Sequence, residues 1–107
     1  MKNARFDNVI HAPNRLKVCA LLAPIETAEF QLLRDELGVS DSVLSKHIKQ
    51  LELAGYVKQR KEKLNGRQRT WVYLTKEGRE AFEAHIEELK KLVAIADSMP
   101  NHAPPDS

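Results

Sequence analysis

Apolar positions along the chain fall into short clusters whose spacing changes from helical to alternating and back. Between Pro13 and Pro24, Leu16, Cys19, Ala20 and Leu22 make the apolar content of a helix. Pro13 fits a first helical position, where its missing N–H leaves nothing unbonded, and Pro24 cannot continue the ladder. Asp7, a little earlier, suits the cap of a short turn. Within Thr27–Gly38, Phe30, Leu33 and Leu37 again recur at helical spacing, and Gly38 supplies the left-handed residue that closes a helix. The sequence also permits Ala28 and Glu29 to be extended and to pair with a later strand. Ser40 or Asp41 then caps a third helix, in which Leu44, Ile48 and Leu51 form one stripe until Gly55 stops it. Two short helices joined through Gly38 make a helix-turn-helix, with the polar face of the second turned outward.

After Gly55 the period becomes two. "YVKQRKEK" and "RTWVYLT" are rich in β-branched, aromatic and long polar residues, and Asn65-Gly66 between them is a hairpin signal. Alternation places Val72 and Leu74 on the core face of the return strand and Arg69, Trp71 and Tyr73 on the other. Thr75 then caps a long helix, with Glu77 and Glu80 early and Lys90 and Lys91 late, in the sense that suits the helix dipole. From Lys76 to about Met99 it spans roughly 36 Å at 1.5 Å per residue, more than a small domain needs to cover its own core. Along it, Phe82, His85 or Ile86, Leu89, Leu92 or Val93, Ala96 and Met99 recur at coiled-coil-like spacing, as a dimer seam requires. The fold class expected is mainly α with a small β-hairpin. One domain covers residues 1–99, its final helix (about 76–99) serves dimerisation, and the proline-rich 100–107 forms a disordered tail.

Composition sharpens this at one place. With 42% hydrophobic and 30% charged residues the chain has the makeup of a soluble globular domain, and its net charge of +2 is too small to imply a polyanionic partner. The distribution of charge does imply one: residues 58–69 carry six Lys and Arg against the single acid Glu62. No apolar run approaches a membrane span and no secretory signal is evident, so a cytoplasmic location is expected. The lone Cys19 cannot form an internal disulfide and reads as a buried core thiol.

The order helix, helix, helix, basic hairpin, long helix resembles the small winged helix-turn-helix regulators of the MarR-like and ArsR-like kinds. The resemblance rests on "RLKVCALLA", "LRDELGVSDSVLSKHIKQLELAGYV" and "GRQRTWVYLTKEGREAFEAHIEEL", and covers about residues 8–97. It implies a homodimeric repressor at a pseudo-palindromic operator of double-stranded DNA, with one recognition helix per subunit in a major groove and one wing in a minor groove. Ser42, Ser45, Lys46 and Lys49, with Gln50 at the margin, lie opposite the apolar stripe and are the recognition-helix candidates. In the wing, Arg67 beside Gly66 is placed for minor-groove insertion, and Arg60, Lys61, Lys63 and Arg69 for phosphates. The seam candidates are Phe82, Ile86, Leu89, Leu92, Val93 and Ala96.

His47 borders the stripe and reads as structural, with a phosphate contact as the alternative, and Trp71 and Tyr73 read as packing residues rather than platforms for single-stranded bases. The thiol pair of ArsR-like metal sensors is absent, since the corresponding segment reads "GVSDS". His85 has no second ligand at metal spacing on its own helix, so no metal and no cofactor are expected. Phosphate-cradling, nucleophile-elbow and zinc-protease motifs are missing, which argues against an enzyme. Two other readings remain open at this level: a winged-helix module for protein partners, and a DNA-coating chromatin protein without sequence preference. The operator and any small-molecule effector are not legible.

Overall fold

The computed structural model describes residues 7–98, so the expected end of the last helix at Met99 and the tail at 100–107 lie outside the described residues. The elements run α1 (Asn8–His11), α2 (Pro13–Leu22), β1 (Ala28–Glu29), α3 (Phe30–Leu37), α4 (Asp41–Leu53), β2 (Val57–Leu64), β3 (Arg67–Leu74) and α5 (Lys76–Ser98). The architecture is mainly helical with a small antiparallel sheet of order β1-β3-β2.

Local chemistry sets most of the boundaries. The Asp7 carboxylate accepts from the N–H groups of Val9 and Ile10 and starts α1. Pro13 opens α2, where Val18, rather than Ala20, joins Cys19 and Leu22 in the core; Ala20 faces solvent. The second predicted helix begins later than Thr27, because Ala28 and Glu29 are extended and pair with Val72 and Trp71 of β3. Gly38 adopts φ 69° and donates to the Arg34 carbonyl, which ends α3 in a left-handed cap. Ser40 is the cap of α4, its Oγ accepting from the Val43 N–H at 3.2 Å.

The wing turns through Asn65 and Gly66, at φ 54° and 76°. Positive φ at both central residues is the geometry that follows the right-handed twist of the flanking strands. Its root is buried and its tip is not: Val57 pairs with Leu74, and Gln59 with Val72, whereas residues 60–68 are all exposed.

Thr75 starts α5 by accepting from the Gly78 N–H at 2.9 Å, while its hydroxyl donates to the Gly55 carbonyl. A side chain at Gly78 would run into the Tyr56 carbonyl, so glycine there lets the helix start abut the turn after α4. Lys90 and Lys91 do not occupy the last turn of α5. They pair instead with Glu87 and Glu88, three residues back.

The core gathers Ile10, Val18, Cys19, Leu22, Leu33, Leu44, Ile48, Leu51 and Val72, each essentially inaccessible. Burying a side chain of the Val, Leu or Ile kind contributes about 1.5–3 kcal/mol relative to exposure, so the three stripe residues of α4 alone anchor that helix firmly. Ala81 and Phe82 bring the first half of α5 onto this core, and the Arg79 guanidinium ties it to the end of α2 through the Ala23 carbonyl at 2.6 Å. The second half of α5 leaves it: every residue from Lys90 to Ser98 is exposed, Leu92, Val93 and Ile95 included.

Candidate nucleic-acid interface

Because Leu44, Ile48 and Leu51 hold one side of α4 in the core, the opposite side presents Ser42, Ser45, Lys46, Lys49 and Gln50 to solvent. None of these lysines has an ion pair among the described residues. The helix is set by a clamp that the sequence reading missed: Arg34 of α3 donates to Asp41 at 2.8 Å and lies 3.2 Å from Asp35. The hydrogen bond to Asp41, and then that to Asp35, hold the guanidinium's proton more tightly than usual. The clamp spans the turn at Gly38 and neutralises an acid at the leading end of α4.

His47 is half-buried at the edge of the stripe, 3.5 Å from an Arg15 nitrogen. Arg15 also donates to the Val9 carbonyl, so α1, α2 and α4 meet at this side chain. Burial, then the neighbouring Arg15 and Lys46, lower the His47 pKa. A structural role for His47 agrees with this position.

In the wing the cations divide into two groups. Arg69 stands 3.5 Å from Glu29 of β1, and Arg60 3.8 Å from Glu62 on its own strand. Lys61, Lys63 and Arg67 surround the turn with no ion pair among the described residues, and all three are exposed. The tip therefore carries unneutralised charge while the root is partly compensated, and Arg69, expected to hold phosphate, stands beside Glu29. A shallow polar cleft bordered by Glu29, Gln31, Arg34, Asp41, Gln68 and Arg69 joins the start of α4 to the return strand of the wing. Gln31 and Gln68 in its walls carried no signal in the sequence beyond being polar.

Trp71 and Tyr73 are half-buried on the outer side of β3, as packing residues are. The indole N–H of Trp71 is buried without an acceptor among the described residues.

The histidine reading needs one correction. His85 has no second ligand on its own helix, yet the fold brings His11 beside it, with Nδ1 of His11 3.3 Å from Nε2 of His85. His85 is buried and its Nδ1 accepts from the Asp7 N–H at 3.2 Å, so it belongs to the join between α1 and α5. The Asp7 carboxylate also accepts from the Tyr56 hydroxyl. Burial, then this bond, push the tyrosine pKa up to about 12. No group of three or more metal-ligating side chains exists among the described residues. Burial, and next Asp7, push the Cys19 thiol up to about 12, which keeps it protonated in the core.

This constellation is that of a winged helix, and comparison with known proteins agrees. The family model described as a winged helix DNA-binding domain matches residues 14–93, and the chain belongs to that family. Uncharacterized protein MJ0432 of Methanocaldococcus jannaschii is 38% identical over 87 residues, 81% of this chain and 90% of that protein. Among solved structures, the transcriptional regulator homologue protein of Pyrococcus horikoshii OT3 superposes with a TM-score of 0.79 at 30% identity, covering 85% of this chain and 90% of its own. The transcriptional regulator BldR of Sulfolobus solfataricus shares the fold at a TM-score of 0.67 and 20% identity, over 83% of this chain and 63% of its own. The structural neighbours are MarR-like regulators, so fold and family are those of transcriptional regulators rather than enzymes. No described helix is long and apolar enough to cross a membrane.

Proposed function

We propose that this protein is a homodimeric, sequence-specific regulator of transcription that binds double-stranded DNA in the cytoplasm and represses by occupying a pseudo-palindromic operator. The observation that carries the proposal is the pairing of two surfaces: an α4 face of Ser42, Ser45, Lys46 and Lys49, and a wing tip whose Lys61, Lys63 and Arg67 have no acidic partner among the described residues. Residues 1–99 act as one unit in this reading. Helix α4 enters the major groove, Arg67 the minor groove, and Arg60, Lys61 and Lys63 hold phosphates, with Arg69 joining them when it leaves Glu29.

The half-buried Phe82, Ile86 and Leu89 continue into exposed Leu92, Val93 and Ala96, an apolar row suited to a second copy of α5. A two-fold dimer seated in this way meets two half-sites about one helical turn apart.

A gel-shift panel of random duplexes at stepped salt concentrations tests the reading. The expected result is retention that falls steeply with salt together with enrichment of one sequence; salt-sensitive retention without enrichment would instead support a DNA-coating protein.

A further inference from the structure

The polar side chains at the first turn of α4 each have a partner, although the exposed Ser42 hydroxyl keeps capacity for a further hydrogen bond. Ser40 Oγ accepts from the Val43 N–H at 3.2 Å, Ser42 Oγ lies 3.2 Å from Ser40 Oγ, and Asp41 is held by Arg34 at 2.8 Å. The side chain on that turn with no such engagement is Val43, an apolar residue 38% exposed. It takes no part in the core, which Leu44, Ile48 and Leu51 fill from the other side. Lys46 lies one turn further along the same ridge, so whatever surface meets Lys46 also meets Val43. A β-branched chain is stiff about its first torsion, and the Ser40 cap fixes the backbone beneath it. Val43 is thus a rigid apolar knob at the leading end of the helix, the end whose residues reach base edges when such a motif docks.

On the proposed reading of this helix as the major-groove element, we propose that Val43 is a specificity-determining residue that contacts the C5-methyl group of a thymine. That methyl is the apolar group on the major-groove edge of the unmodified base pairs, and a hydroxyl or ammonium at this position gains nothing from it. Val43 therefore favours thymine at one position of each half-site by excluding water from two apolar surfaces, with no charge involved. The preference is independent of salt, unlike the contribution of Lys46 and the wing.

The test replaces each thymine of the selected binding site, one at a time, by deoxyuridine, which removes the methyl group and leaves every hydrogen-bonding atom in place. Wild-type protein is expected to lose about fourfold in affinity at one position per half-site, the ratio that corresponds to one buried methyl-sized group. Val43→Ser, which carries no methyl group, is expected to bind thymine and deoxyuridine equally there, and Val43→Thr, which keeps one of the two methyl groups, to show a reduced loss, both with the salt dependence of wild type. Tolerance of deoxyuridine at every position by wild type overturns the proposal, as does an undiminished loss in both variants. Failure of the wild-type chain to select any sequence overturns the functional reading itself and this assignment with it.

Discussion

Arg67 is the first residue of β3, directly after the two left-handed residues of the turn, and it pairs across the wing with Leu64. Its guanidinium has no acid among the described residues to satisfy it, so its charge is available to the negative potential of a narrow minor groove. Arg67→Ala is expected to weaken duplex binding about tenfold and most on A·T-rich flanks, measured by titration. Equal binding of both proteins to such a site would remove Arg67 from the groove. His85 makes a different prediction, about stability. Burial, then His11, hold its pKa below the ordinary 6.5, with Asp7 opposing, so the folded chain keeps it neutral where the unfolded chain takes up a proton. Stability is therefore full above about pH 6.5 and is lost as pH falls through that value toward the lower folded pKa. Thermal melts of wild type are expected to drop over that window. His85→Gln should start lower at neutral pH and show a flatter profile, with His47 supplying the slope that remains.

At the scale of elements, the pair of β1 with β3 does more than complete a sheet. Glu29 sits opposite Trp71 and reaches Arg69, so a two-residue strand brings a carboxylate to the root of the basic wing. Both side chains keep partial solvent contact, which limits what the pair adds to stability; on the proposed reading its effect on DNA binding is larger, since it occupies a cation and would face the phosphates with an acid. Glu29→Gln is expected to bind DNA several-fold more tightly, with the slope of log affinity against log salt steepened by about 0.9, one further phosphate contact. Weaker binding at unchanged slope would show that the pair only supports the wing. Such pairings mark the limit of what the sequence tells. Gly38, Ser40, Asn65-Gly66 and Thr75 act on their immediate neighbours, so helix ends and the turn were legible, as was the stripe of α4. Glu29 with Arg69, Arg34 with Asp41, and His11 with His85 depend on where separate elements come to rest, and no local spacing encodes that. The reading of Arg69 as a phosphate ligand accordingly took no account of Glu29, and the seam position was left between His85 and Ile86.

On the scale of the whole molecule, α5 extends beyond the core that its first half covers. Residues 90–98 are all exposed, and Leu92, Val93 and Ile95 there are each at least half accessible. On the proposed reading, a second copy of the same helix turns this row into a seam and sets two α4 helices at a fixed separation. Light scattering of the purified protein is expected to give twice the 12.2 kDa chain mass at micromolar concentration. Leu92→Asp is expected to shift it toward the single chain and to cost DNA affinity in the same step, although no wing or α4 residue is touched. A wild-type monomer at that concentration would deprive α5 of the proposed role.

Dimerisation, groove reading and wing charge meet in one observable, the set of genomic fragments the purified protein retains at physiological salt. The fold and surface described here predict enrichment of an inverted repeat whose half-sites are centred about one helical turn, roughly 10 base pairs, apart, with A·T-rich flanks where the wings enter. Retention of fragments with no shared sequence, or of a single unrepeated site, would contradict it.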